Sequence, residues 1–385
     1  MATTVFRAPV SIFGRGASDN LGAELKTLGA TRVFVVTDEV LWKLGALTKI
    51  VGSLKSERLE FEVYNKLPTE PTTDFVSEGT GLFKESSCDI ILAVGGGTPI
   101  DTAKAISIMA TNEASIEDYV GANRVKHPGI PVVAVPATAG TGSEVTIFTV
   151  ITNTRTDVKM LIASPYLMPR LAIIDPLLTV SMPKGLTAAT GLDALTHAIE
   201  AYVSRKAQPM TDVLALSAIR LLSANLLRAW SDGNDLDARE KNMLGAYQAG
   251  LSFSNASVAL VHGMSRPIGV FFHVPHGISN AVLLGPVVEF SLPGNPRRYA
   301  EIAAAMGGNV AGLSEMEAAR AGAKAVKALI NDLKVPRLRE LGIDRAKFEK
   351  AMPQMIEAAI ASGSPDNNPR LATREEMAAI YNQAF

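Results

Sequence analysis

The chain has 385 residues, 47% of them apolar, with 37 basic and 38 acidic side chains and a net charge of −1. That length favours about two domains with a sizeable core, and the balanced charge argues against nucleic acid as the main partner. A single cysteine, Cys88, excludes an internal disulfide framework and any multi-thiolate metal site, and suits a reducing compartment. No apolar run approaches the roughly 18–20 residues of a membrane span, and the first residues lack the basic and apolar regions of a signal peptide. The expectation is a soluble, cytoplasmic protein with no membrane partner.

In chain order, residues 32–38 (RVFVVTD) read as a buried strand followed by an amphipathic segment at 39–56. Residues 89–94 (DIILAV), 131–136 (PVVAVP) and 171–175 (LAIID) read as further strands. Apolar strands alternating with helical segments imply a parallel sheet covered on both faces. Beyond about residue 181 the texture becomes Ala/Leu-rich, with helical periodicity at 186–204, 211–230, 238–251 and 315–333. The reading is a Rossmann-like α/β domain over 1–180 and an all-helical domain over 181–385, with the cleft between them as the expected active site.

The strand at 89–94 runs into Gly95, Gly96 and Gly97, then Thr98-Pro99-Ile100-Asp101 and an apolar helix. Thr98 is expected as N-cap, Pro99 at the first helical position and Asp101 at the third. Such a helix start suits a pyrophosphate, although a tight strand-to-helix turn has the same glycines. Asp38, ending the preceding strand, either bonds an adenosine ribose and repels a 2′-phosphate or simply caps a helix. The loop at 136–144 (PATAGTGSE) forms a second polar wall.

Four of the five histidines fall within 80 residues. Asp193 and His197 are spaced i, i+4 and leave one helix face together. His262 and His276 are separated by Pro267, Gly269 and Pro275, so two elements are expected to deliver them. One carboxylate and three imidazoles form an N₃O set for Fe²⁺ or Zn²⁺ with a position left for substrate. Taken alone, the Asp–His pair reads first as a surface ion pair, and the metal reading comes from the four residues together. Glu200 either accepts a hydrogen bond behind a ligand or is solvated.

These residues resemble the iron-dependent (group III) alcohol dehydrogenases. The resemblance rests on GGGTPIDTAKA (95–105), PATAGTGSEVT (136–146), DPLLTVSMPKGLTAATGLDALTHAIEAYVS (175–204) and LVHGMSRPIGVFFHVPHGISNAVLL (260–284), and spans essentially the whole chain. It implies the dehydroquinate-synthase-like architecture of that family, an NAD(H)-dependent activity on a small alcohol or aldehyde, and a homodimer or larger homo-oligomer. It implies metal ligands at Asp193, His197, His262 and His276, with Fe²⁺ favoured over Zn²⁺. It further implies cofactor contacts at Asp38, Gly96, Gly97, Thr98, Asp101, Thr138, Thr141 and Lys159, Leu178 near the adenine, and pocket-lining Phe148 and Phe253.

Many relatives carry a histidine four residues after the third ligand, where this chain has Arg266. A permanently protonated guanidinium cannot relay protons near neutral pH. It can hold a substrate anion, a cofactor phosphate or a helix end. His273 either replaces the missing proton carrier or caps a helix. Two competing expectations follow: a hydroxy-acid or semialdehyde reductase reading the carboxylate through Arg266, and a dinucleotide- or metal-binding protein without turnover.

Overall fold

The structure, a computed structural model, describes residues 4–68 and 70–385. The chain forms two compact units: residues 8–181, and residues 182–385 together with residues 4–7.

The α/β unit contains β1 (Val10–Phe13), α1 (Leu21–Thr27), β2 (Arg32–Asp38), α2 (Glu39–Lys43), α3 (Thr48–Ser56), β3 (Glu60–Leu67), α4 (Thr73–Ser86), β4 (Ile90–Gly95), α5 (Gly97–Met109), β5 (Gly121–Ala122), β6 (Val132–Pro136), β7 (Phe148–Asn153), β8 (Val158–Ala163) and β9 (Leu171–Ile174). Six strands form one sheet in the order β1-β9-β6-β4-β2-β3, every neighbouring pair parallel. Alternation along the strands divides the core between two faces. Val33 and Val35 of β2 pack with Leu21, Leu25, Ile50 and Leu54 of α1 and α3. Phe34 and Val36 face Ile100, Ala103 and Ile106 of α5. Strands buried on both sides must be near-continuously apolar, which is why β2, β4, β6 and β9 are legible in the sequence. A small second sheet, β5-β8-β7, was not expected.

The sheet order reverses between β2 and β4, whose carboxyl ends carry Asp38 and Gly95. In open parallel sheets, ligands bind outside the strand ends at such a switch point. The helix that follows starts two residues earlier than expected. Gly96 occupies the N-cap position without a side-chain bond, and Thr98 and Pro99 lie inside the first turn of α5. Gly95 permits this: its φ of +145° and the 2.7 Å between a hypothetical Cβ and Pro99 Cγ leave room only for glycine.

The helical unit contains α6 (Lys184–Val203), α7 (Pro209–Ser231), α8 (Leu236–Ala256), α9 (Leu260–Phe272), α10 (His276–Ser291), α11 (Pro296–Ala305), α12 (Glu315–Asp332), α13 (Arg345–Ala361) and α14 (Arg374–Ala384). Among the described residues, no strand lies beyond Ile174. Buried along most of its length, α6 packs against α7, α8 and α10. Contrary to the expectation that no segment reaches membrane-spanning length, α7 is long and apolar enough to do so. Its Ala215, Ala218, Ile219, Leu222 and Leu226 form a helical stripe on the core side. Pro267 lies inside α9 rather than ending it; the break between His262 and His276 comes at His273, in the left-handed conformation, and at Pro275.

Candidate active site

Backbone packing positions the candidate metal site of the helical unit. The first turn of α10 lies directly on α6, where a Cβ on Gly277 would stand 2.3 Å from the Ala189 carbonyl oxygen. This contact sets His276, at the start of α10, beside Asp193, one turn beyond Ala189 on α6. The third component, His262, comes from α9.

Asp193 Oδ1 lies 3.5 Å from His262 Nε2, 3.7 Å from His276 Nε2 and 3.9 Å from His197 Nε2. The donor atoms of Asp193, His262 and His276 all fall within 4.8 Å of one another. His197 stands beside them, its ring stacked on His262 at 4.4 Å and on Phe253 at 4.0 Å. Bonds of about 2.0–2.2 Å in a tetrahedral set put neighbouring donors about 3.3–3.6 Å apart. The observed separations sit at or just beyond that edge. His197 Nδ1 is buried without a hydrogen-bond partner, whereas the Nε2 atoms of His262 and His276 lie 3.1 and 3.2 Å from Asn280 Nδ2. These residues fit a divalent cation.

Their protonation suits the same purpose. Burial alone would raise the Asp193 carboxyl, but His197, His276 and His262 outweigh it and hold the group well below the usual range. Burial pushes His197 down to about 4 and His276 to about 3, leaving both as neutral imidazoles with lone pairs. For His262, burial is overcome by Glu200 and Asp193, which raise it. Such a proton is one that cation binding displaces. Glu200 is buried, not solvated. Its Oε2 lies 2.6 Å from His262 Nδ1 and its Oε1 accepts the Val261 N–H at 2.5 Å, which turns Nε2 toward the donor set.

Sequence reasoning missed Asn280, one turn after His276. Its Nδ2 donates to Asp193 Oδ1 at 2.6 Å. The spacing repeats the i, i+4 relation of Asp193 and His197 and was the available signal. Arg266 follows His262 by one turn on α9; its Nη1 donates to Ser364 Oγ at 3.1 Å, and its charge helps depress both His197 and His276. His273, with φ +54°, is the exposed C-cap of α9.

In the α/β unit, Asp38 does cap α2, accepting the Leu41 N–H at Oδ1. Its Oδ2 faces Gly95, so the cap occupies one carboxylate oxygen and leaves the other at the switch point. Thr138 and Thr141 lie against the α-carbons of Gly96 and Gly97, where added Cβ atoms would approach them to 3.3 and 3.1 Å. Thr98 is the second residue of α5. Asp101, expected at the third helical position, is the fifth residue of α5. Its carboxylate turns inward, accepting from Ser143 Oγ and, at 2.9 Å, from the Val150 N–H. Lys159 Nζ is paired with Glu70 Oε1 at 2.8 Å. Leu178 packs at the edge of the α1–α3 core, and Phe148 opens β7. Two buried charges here were also missed, Lys104 and Glu144. Desolvation brings Lys104 down to about 8 and lifts Glu144 to about 7. Lys104 is one helical turn past Asp101.

A parallel sheet with a glycine turn at its switch point, and a helical unit carrying an aspartate and three histidines, together describe a metal-dependent dehydrogenase. The description for iron-containing alcohol dehydrogenases matches residues 8–176, and that for the C-terminal part of the Fe-containing alcohol dehydrogenase family matches residues 187–385. The 1,3-propanediol dehydrogenase of Klebsiella pneumoniae is 41% identical over 98% of this chain and 97% of its own. The NAD-dependent methanol dehydrogenase of Bacillus methanolicus is 38% identical over the full length of both. A crystal structure of 1,3-propanediol oxidoreductase superposes with a TM-score of 0.97, at 41% identity, covering all of both chains. The chain belongs to the iron-containing alcohol dehydrogenase family, and is a metal-dependent alcohol dehydrogenase or aldehyde reductase.

Proposed function

We propose that this enzyme interconverts a small neutral alcohol and its aldehyde with NAD(H), using Fe²⁺ or, in its place, Zn²⁺. The observation that carries the reading is the convergence of Asp193, His262 and His276, with His197 alongside, in a nest where Asp193, His197 and His262 are buried, His276 is 42% exposed, and the histidines are mostly held neutral. A bound cation supplies Lewis-acid polarisation of the alcohol or carbonyl oxygen, and a bound nicotinamide dinucleotide accepts or returns the hydride. Asp193, His197, His262 and His276 hold the metal, with Glu200 and Asn280 orienting His262 and Asp193. Phe253 covers one face of His197 and is a candidate pocket residue of the helical unit, and Phe148 is the candidate pocket residue of the α/β unit. The glycine turn (Gly95, Gly96, Gly97), Thr98, Thr138 and Thr141 receive the pyrophosphate. Lys159 contributes after leaving Glu70, Leu178 flanks the adenine, and Asp101 contributes by holding the neighbouring segment. The free oxygen of Asp38 bonds the ribose and disfavours NADP(H). His273, exposed near His276, is the candidate for exchanging the reaction's proton with solvent. The working form is a cytoplasmic homodimer or larger homo-oligomer, with no nucleic-acid or membrane partner.

A second reading is supported by Arg266. A guanidinium offers five donors, and this one lies close enough to the metal-binding histidines to depress two of them. In that reading the substrate bears a carboxylate, held by Arg266. Enzyme loaded anaerobically with Fe²⁺ or Zn²⁺ and assayed by NADH oxidation separates the two. Preference for propionaldehyde or 3-hydroxypropionaldehyde supports the neutral reading. Preference for succinate semialdehyde or glyoxylate, lost in Arg266→Leu, supports the second. NADH binding without turnover on either metal would leave only a binding protein.

A further inference from the structure

Lys104 is fully enclosed, with none of its surface exposed. It lies on α5 behind the glycine turn, and the chemistry above makes no use of it. Burying an ammonium is costly unless its hydrogens are matched by acceptors. Here five acceptors surround Nζ: the Ser143 carbonyl, Ser143 Oγ at 3.2 Å, the Thr146 carbonyl and Thr146 Oγ1 at 3.0 Å, and the Phe148 carbonyl at 3.0 Å. All come from one stretch, residues 143–148, which joins the Thr138/Thr141 loop to β7.

The same stretch is gripped from the preceding turn of α5. Ser143 Oγ donates to Asp101 Oδ1, the Val150 N–H to Asp101 Oδ2, and Thr149 Oγ1 to the Asp101 carbonyl at 2.8 Å. At its near end the Ser143 N–H donates to Thr141 Oγ1 at 3.3 Å, and Thr141 lies against Gly97. Lys104, together with Asp101, thus fixes the backbone that carries both a candidate cofactor hydroxyl and the candidate pocket residue Phe148. Two of the three carbonyls that Lys104 binds, those of Ser143 and Thr146, lie in the segment that precedes β7, and the third belongs to Phe148, the first residue of β7, which pairs with Ala163 of β8.

We propose that Lys104 is a positioning residue for the dinucleotide: its buried ammonium acts as an internal cation that holds residues 141–148 in register against the glycine turn. The inference rests on the assignment of that turn to NAD(H). Loss of the ammonium frees the loop, so the cost falls on cofactor binding and not on the hydride step.

The test is NADH titration and steady-state kinetics on metal-loaded wild type and Lys104→Met, with thermal melting and metal content recorded. Hydrogen bonds to a charged group contribute about 1.5–3 kcal/mol, so Lys104→Met should raise the NADH Kd and KM by about tenfold or more. At saturating NADH, kcat should stay within about threefold, with metal content unchanged. Ser143→Ala and Thr146→Val each remove one hydroxyl acceptor while sparing the carbonyls, Ser143→Ala also losing the hydrogen bond to Asp101, and each should weaken NADH about two- to fivefold, Thr146→Val being the cleaner measure of Lys104. They carry the test if Lys104→Met does not fold. An unchanged NADH Kd in a folded Lys104→Met, or in both hydroxyl variants, overturns the proposal. So does a fall in kcat at saturating NADH with KM unaltered. Failure of the wild type itself to bind NADH would instead overturn the cofactor assignment.

Discussion

The two halves of this enzyme build their sites from different materials. In the α/β unit the candidate cofactor site is made of backbone: strand ends, a glycine turn and a loop pinned from behind by buried charges. In the helical unit the candidate metal site is made of side chains projecting from three helices into one nest. A backbone site is most sensitive to added atoms and to whatever holds its loops. A side-chain site is most sensitive to removal of its donors and to changes in how its helices pack.

The largest expected break is His262→Ala, which removes one of three converging donors and leaves Glu200 buried without its partner. It should lose bound metal, measured by elemental analysis, and at least about a hundredfold in activity; full metal with full activity would dismiss the assignment. Gly277→Ala attacks the same nest through the backbone. The new methyl cannot coexist with the Ala189 carbonyl, so α10 must shift at a cost of about 1–3 kcal/mol, lowering both melting temperature and metal content.

On the α/β side, Glu144→Gln addresses the buried charges. A carboxyl raised to about 7 binds its proton more tightly in the folded state. Its contribution is therefore complete below its ordinary value and lost as pH rises through about 7. Wild-type stability should decline across that window by on the order of 1–3 kcal/mol relative to Glu144→Gln, seen as diverging denaturation midpoints. Lys104, lowered to about 8, has the opposite slope and acts above that window. The smallest effect on stability is expected from Asp38→Gly, a few tenths of a kcal/mol for the cap. The variant should nevertheless narrow the NADH-over-NADPH preference by about tenfold. An unaltered preference would restrict Asp38 to capping.

The difference in materials also explains what was legible. The central strands announce themselves because both faces are buried. At the sheet edges, β1 has only four residues and β3 (EFEVYNKL) mixes charges with apolar positions, so neither carries that signal. The helix start at α5 was misplaced because Thr-Pro is a strong local cap signal, whereas the actual start depends on the conformation of Gly95. Histidine is rare in this chain, and its four clustered copies are visible at once. Asn280, Lys104 and Gly277 are of common types whose significance depends on neighbours supplied by other elements. Glu200 was noticed, but only packing distinguishes a buried acceptor from a solvated side chain.

The opening residues of the helical unit have a consequence for the order of assembly. The Arg7 N–H donates to Asn255 Oδ1 at 2.7 Å, and Asn255 Nδ2 donates back to the Arg7 carbonyl at 2.9 Å. Residues 4–7 thus belong to a unit whose remainder begins only at Met182, and the α/β unit is covalently an insertion within it. During synthesis, residues 8–181 can fold while their helical counterpart is still being made. Residues 4–7 must wait about 250 residues, or roughly 12–50 s at bacterial-to-eukaryotic elongation speeds, for the partner that fixes them.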